Sequence, residues 1–169
     1  GYFAQAAILP AFAHSKKAEL TALVSGETRK LKALGRKYRV ADLCDYSGYD
    51  YLLQSGDIDA VYIALPNWMH REYAEKAIQA GIHVLCEKPL AVTVEECERL
   101  IRLAEDRGVK LMTAYRLHFE ETNLSAIQLV QGGKIGEPRA FNSFFSLPVK
   151  PDNIRAMTPK TGGGPVYDI

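Results

Sequence analysis

The sequence predicts an α/β fold, a doubly wound parallel sheet followed by the start of a second α/β domain. Three observations carry this reading. Short apolar runs alternate with helical stretches across short connections from residue 20 to residue 114, the rhythm of a parallel sheet wound with helices on both faces. The run at 59–65 is apolar almost without a break after Asp59, as suits a parallel strand buried on both sides. A charged pair, Glu87-Lys88, directly follows another apolar run at 82–85 and precedes Pro89. Proline sets its own backbone and biases Lys88 towards extended geometry. That places Lys88 at the carboxyl end of a strand, where open α/β sheets bind ligands. Taken alone, the same residues also suit a surface lysine in a strand-to-helix turn.

The elements follow in order. Residues 3–13 are small and apolar, a helix that Pro10 kinks or ends. Residues 20–24 form a short strand closed by Ser25-Gly26. A basic amphipathic helix is expected over 27–38, with Leu31, Leu34 and Tyr38 on one face. A short helical piece at 49–54 precedes the strand at 59–65. Pro66 stops that strand, and Asn67 caps a helix running to about residue 80, with Gly81 as its C-terminal stop. After the strand at 82–85, Thr93 and Glu96 make a capping box for a helix with Val94, Cys97, Ile101 and Ala104 on one face and Leu100 beside them, closed by Gly108. A strand follows at 109–114, then a helix at 121–131 ending on Gly132-Gly133. Alternation at 137–146 reads as a longer strand, the first of the second domain, and 147–164 as a long loop. The expected domains are 1–119 and 120–169.

The totals restrict the function classes. The 169 residues are 47% hydrophobic and 24% charged, with a net charge of +1, which gives no electrostatic case for nucleic acid or membrane binding. No apolar run approaches the roughly 20 residues of a membrane span. Cys44, Cys86 and Cys97 have no metal-like spacing and read as reduced core thiols; no metal is expected. The chain opens on Gly1-Tyr2-Phe3-Ala4 with no strand in front, and stops at Tyr167-Asp168-Ile169 in what reads as a motif. Both ends predict a segment of a longer protein that lacks its first strand. No basic start or cleavage site marks an export signal, so a cytoplasmic location is expected, with the periplasm left open by that start.

Candidate binding groups cluster at the predicted strand ends. Gly1 and Ala4 match the second and third small positions of a Rossmann-type GxGxxG/A fingerprint, where backbone meets a pyrophosphate at a helix start, with Tyr2 and Phe3 between them. The next strand ends in Ser25-Gly26, followed by Arg29 and Lys30. Hydroxyl and cationic donors favour a 2′-phosphate, which points to NADP; Glu27 could instead accept a ribose hydroxyl, the NAD alternative. Leu65, Pro66, Asn67 and His70 follow the central strand. Asn67 and His70 could reach the cofactor or serve only the helix start. Lys88 could polarise a substrate hydroxyl as its proton leaves. Arg116 follows Tyr115 at the next strand end and calls for an anionic or polar partner. Gly162-Gly163-Gly164 allow close backbone approach, and Asp168 follows at short range.

These pieces, in this order, resemble the Gfo/Idh/MocA oxidoreductases, the family of glucose–fructose oxidoreductase and inositol dehydrogenase. The most specific parts are Glu87-Lys88-Pro89, Leu65-Pro66-Asn67 with His70, and the Gly162-Gly163-Gly164 to Asp168 element. Residues 22–26, 45–47 and 59–63 look most like the glucose–fructose oxidoreductase branch, which uses NADP. Ser25, Lys30 and Tyr46 match its positions around the 2′-phosphate. The resemblance implies a full-length NADP-dependent oxidoreductase acting on a sugar, polyol or related secondary alcohol, and a homo-oligomer. It implies that Lys88 contacts substrate and cofactor and that Glu87 lies at the cofactor. It further implies that Asp168 orients substrate and that a His or Tyr beyond Ile169 moves the proton. Lacking that residue, the chain by itself is expected to be inactive. The Lys88-Pro89 bond is expected to be cis. The alternative of another class is a non-catalytic dinucleotide-binding regulatory protein of the same fold.

Overall fold

The computed structural model describes residues 1–144, 146 and 148. Five parallel strands fall into two sheets. β1 (Ala22–Val24) pairs with β2 (Asp42–Cys44), and β3 (Ala60–Ile63), β4 (His83–Cys86) and β5 (Leu111–Thr113) form the second sheet in that order. The register sets Val24 opposite Cys44, Ile63 opposite Cys86, and Cys86 opposite Thr113. The strands of each sheet therefore end level, and the loops that follow emerge together. β2 was not expected. It is three residues long and begins on an exposed Asp42, so neither length nor apolar pattern marks it.

The first helical stretch shows what Pro10 does. A π-helical turn, Ala4–Ile8, precedes α1 (Leu9–Phe12), with the Leu9 N–H bonded five residues back to the Ala4 carbonyl. Pro10 lies at the start of α1, where its missing N–H costs least. α2 (Thr28–Tyr38) buries Leu31 and Gly35 and packs on β1 and β2. A Cβ at Gly35 would come within 2.7 Å of Leu43, so the glycine is what lets this helix close on β2. α3 is Tyr49–Gln54.

The core lies between the second sheet and two helices, α4 (Asn67–Gln79) and α5 (Val94–Arg107). Ile78 and Leu100 are fully buried there, with Ala74, Ala77 and Cys86. The capping position of α4 is Pro66 rather than Asn67: its extended ψ of 144° turns the chain into the helix, and its carbonyl accepts the Met69 N–H at 2.8 Å. Thr93 caps α5 as expected, accepting the Glu96 N–H at 3.2 Å. The Glu96 carboxylate reaches back to the Val92 N–H at 3.1 Å, one residue before the usual partner. The buried face of α5 is carried by Leu100 and Ala104, with Cys97 and Leu103 beside them. Val94 and Ile101, expected on that face, are exposed at 68% and 46%. Ile101 stands one position from Leu100, about 100° round the helix. Gly108 ends α5 with φ +65°, a left-handed turn that glycine takes without strain.

After β5, a short 3-10 turn at Arg116–Phe119 leads into α6 (Glu121–Gln131). Residues 137–144 form no strand, which corrects the expectation for 137–146 over those residues. Phe141 and Phe144 are exposed at 90% and 97%, and no described strand lies alongside to satisfy their backbone. The triple glycine and Asp168 lie outside the described residues.

Candidate functional site

The carboxyl ends of the strands extend as backbone ties into the loops that carry the candidate groups. Ser25 N–H donates to the Cys44 carbonyl at 3.1 Å, Glu87 N–H to the Ile63 carbonyl at 2.9 Å, and Ala114 N–H to the Cys86 carbonyl at 2.7 Å. Ser25, Glu87 and the Ala114-Tyr115-Arg116 segment are therefore fixed to the sheets, not merely adjacent to them.

At one side stand Ser25, Gly26, Glu27, Lys30 and Tyr46. The Ser25 hydroxyl accepts the Glu27 N–H at 3.3 Å. Glu27 forms an ion pair with Lys30, which holds its exposed carboxyl below the usual range, through the hydrogen bond first and the charge second. A Cβ at Gly26 would meet the Tyr46 ring at 3.0 Å, so that ring lies against bare backbone. Tyr46 is held in turn edge-on by Tyr73, ring centres 5.5 Å apart, and its loop is pinned by Asp45, whose carboxylate accepts the N–H groups of Ser47 and Gly48 at 2.9 and 3.2 Å. Gly1 sits near the end of β3, its missing Cβ 4.0 Å from the Ala64 carbonyl. Tyr2 is exposed.

At the other side, Glu87 accepts a hydrogen bond from the Tyr62 hydroxyl at 2.5 Å. Burial, then that bond and the Glu87 charge, raise the Tyr62 phenol; Arg116 acts in the opposite sense. Arg116 lies over the Phe3 ring, 5.7 Å from its centre. Phe3, Tyr62, Glu87 and Arg116 thus come together from four segments, with Arg116 against an aromatic ring and within electrostatic reach of Tyr62. Tyr62 was missed. The available signal was a phenol inside an otherwise apolar buried run, since a buried hydroxyl needs a partner.

Lys88 is half-buried, and its peptide bond to Pro89 is cis, as expected. His70 is fully buried in the first turn of α4. Its Nδ1 lies 2.6 Å from the Pro89 carbonyl and its Nε2 2.9 Å from the Leu65 carbonyl. Both ring nitrogens are taken by backbone, so His70 supports the site's loops and offers a ligand no free nitrogen. Pro66 and Asn67 sit between these loops at the head of α4. The three cysteines are free; burial pushes the Cys86 thiol up to about 12, which leaves it unreactive.

Comparison with known proteins decides the family. Residues 1–115 match the Gfo/Idh/MocA family, described as an oxidoreductase family with an NAD-binding Rossmann fold. The chain belongs to this family. It is 38% identical over 157 residues to a dTDP-3,4-didehydro-2,6-dideoxy-alpha-D-glucose 3-reductase of Streptomyces violaceoruber, covering 92% of this chain and 45% of that enzyme. The crystal structure of a 3-ketoreductase from Actinomadura kijaniata in complex with NADP and TDP-benzene superposes with a TM-score of 0.87 at 34% identity, over 100% of this chain and 51% of the other. That of an aldose-aldose oxidoreductase from Caulobacter crescentus, complexed with glycerol, is 42% identical with a TM-score of 0.76, over 79% and 40% of the two chains. The chain spans about half the length, or less, of these relatives. No helix among the described residues is long and apolar enough to cross a membrane.

Proposed function

We propose that the protein is an NADP-dependent oxidoreductase that interconverts a hydroxyl and a carbonyl on a sugar or polyol, free or nucleotide-linked. One observation carries this reading: Ser25, Tyr46, Glu87, Lys88 and Arg116 follow the carboxyl ends of the strands, with Lys30 in the helix turn after Ser25, Gly1 near the end of β3 and Phe3 under Arg116, where a doubly wound sheet binds a dinucleotide. The donor set suits NADP. A hydroxyl (Ser25), an ammonium (Lys30) and a phenol (Tyr46) share one edge, and a 2′-phosphate takes charge-assisted hydrogen bonds from such groups. The related 3-ketoreductase of Actinomadura kijaniata crystallises with NADP.

In this reading Gly1 and its neighbours approach the pyrophosphate, Ser25, Gly26, Lys30 and Tyr46 surround the adenosine ribose and its phosphate, and Leu65, Pro66 and Asn67 border the nicotinamide ribose. The bound nicotinamide supplies or accepts the hydride. Lys88 donates a hydrogen bond to the reacting oxygen, stabilising the negative charge that develops there. Glu87, fixed by Tyr62, holds the Lys88 backbone and adds an acceptor beside Arg116. Asp168 orients the substrate, and the proton is moved by a residue beyond Ile169. Residues 1–119 form the cofactor domain and 120–169 begin the substrate and oligomerisation domain.

The test is a screen of the full-length protein with NADPH against free aldoses, ketoses and dTDP-linked keto sugars, and with NADP against polyols. Turnover in the wild type that Lys88→Ala lowers roughly 100–1000-fold to a measurable remainder, with NADPH binding retained, is the expected result. Full turnover without Lys88 would refute the assigned role.

A further inference from the structure

One side chain, His70, touches both loops that border the proposed reaction site. The Leu65 carbonyl belongs to the loop after β3, and the Pro89 carbonyl to the loop after β4, directly beyond Lys88. His70 faces both, at 2.9 and 2.6 Å, from a fully buried position. Pro89 has no N–H of its own, so its carbonyl is its one backbone handle. The same loop is also held through Glu87, by its N–H to Ile63 and by Tyr62, and through the Leu90 carbonyl, by the Cys86 thiol at 3.9 Å. The shorter of the two ring contacts falls on the residue beside Lys88.

We propose that His70 is a positioning residue for Lys88, holding the carbonyl of Pro89 through Nδ1 while Nε2 registers the loop to Leu65. This rests on the reading of Lys88 as the group that meets the reacting oxygen. A lysine on a loop freed by a fraction of an ångström loses the alignment on which its hydrogen bond to the developing charge depends. Cofactor affinity, set chiefly by Ser25, Lys30 and Tyr46 at the other side, changes little.

The experiment compares His70→Asn, His70→Gln and His70→Ala in the full-length protein. An asparagine amide reaches the place of Nδ1 and a glutamine amide that of Nε2. The account predicts that Asn keeps most of the wild-type kcat, while Gln and Ala lose roughly 10–100-fold, with NADPH affinity within about threefold of wild type in all. In a Lys88→Ala background, His70→Gln should cost no further activity, because the two residues act as a unit. Hydrogen–deuterium exchange of the cofactor-free protein supplies a readout apart from turnover: Gln should raise exchange across 86–93, and Asn across 64–67. Equal kcat in Asn and Gln, an additive loss in the Lys88→Ala background, or failure of all three variants to fold would overturn the proposal in favour of a purely structural histidine. A wild-type enzyme without NADPH-linked turnover would instead count against the oxidoreductase reading, and the exchange pattern would still judge the clamp.

Discussion

The Tyr62 hydroxyl donates to Glu87 Oε1 across 2.5 Å, joining the middle of β3 to the residue that follows β4. Neighbouring strands thus share a side-chain tie just below the candidate site. The phenol rises above its ordinary range because burial and the adjacent carboxylate both disfavour its ionised form.

Removing that tie should act on catalysis more than on folding. Tyr62→Phe keeps the ring and loses the donor to a half-buried carboxylate, at a cost of about 1–2 kcal/mol in stability. In the full-length enzyme we expect a lower kcat with NADPH affinity unchanged. Steady-state kinetics beside a denaturant titration would check it; an unaltered kcat would separate Glu87 from the chemistry.

Lys30 pairs with Glu27, and in the proposed reading the 2′-phosphate competes for it. Lys30→Ala should weaken NADPH by about tenfold, the worth of one charge-assisted hydrogen bond, and leave NADH nearly untouched. Glu27→Gln removes the competitor and should tighten NADPH. Fluorescence titrations of the two variants read both directions.

The α5 face gives a prediction on stability. Leu100 is fully buried and Ile101 nearly half exposed. Leu100→Ala should cost roughly 2–5 kcal/mol through the cavity it leaves, and Ile101→Ala about 0.5 kcal/mol or less. Chemical denaturation of the two variants distinguishes this face from one centred on Val94, Cys97 and Ile101, which would reverse their order.

Alkaline pH should unfold the protein partly through Cys86. Its thiol ionises near an ordinary value of 9.0 in the unfolded chain and at about 12 when folded. The folded form keeps a proton that the unfolded form loses, so stability is full below pH 9 and declines as pH rises towards 12. The slope is about 1.4 kcal/mol per pH unit from this one group. Buried Tyr49 and half-buried Tyr62 act with the same sign at higher pH. Melting temperatures between pH 8 and 11 should fall less steeply in Cys86→Ala than in the wild type.

Much of this was legible in the sequence where local signals and tertiary demands agree. The runs at 59–65 and 82–85, the Thr93 cap, the Gly108 stop and the helices at 49–54 and 121–131 are each encoded within a few residues. β2 was not legible, because three residues with an exposed aspartate acquire strand geometry only from β1 beside them. The buried face of α5 was read correctly at Cys97 and Ala104 but centred on Ile101 with Leu100 only beside it, since the two are similarly apolar and only the tertiary packing chooses between them. Asn67 looked like a cap because asparagine favours that position, yet Pro66 already supplies the extended turn. At the candidate site, Ser25 directly follows an apolar run, Lys88 follows one with only Glu87 between, and Lys30 stands in the helix turn after Ser25. The Tyr62–Glu87 and His70–Pro89 ties join residues 25 and 19 positions apart, a pairing that no local pattern announces.

The measurement that bears most directly on the central claim is a titration of the full-length protein with NADPH and with NADH, followed by intrinsic fluorescence. The account predicts tight NADPH binding, weaker NADH binding, and loss of that preference in Lys30→Ala. Equal or NADH-favouring affinity would contradict the 2′-phosphate role of Ser25, Lys30 and Tyr46, and absence of binding to either would contradict the oxidoreductase reading itself.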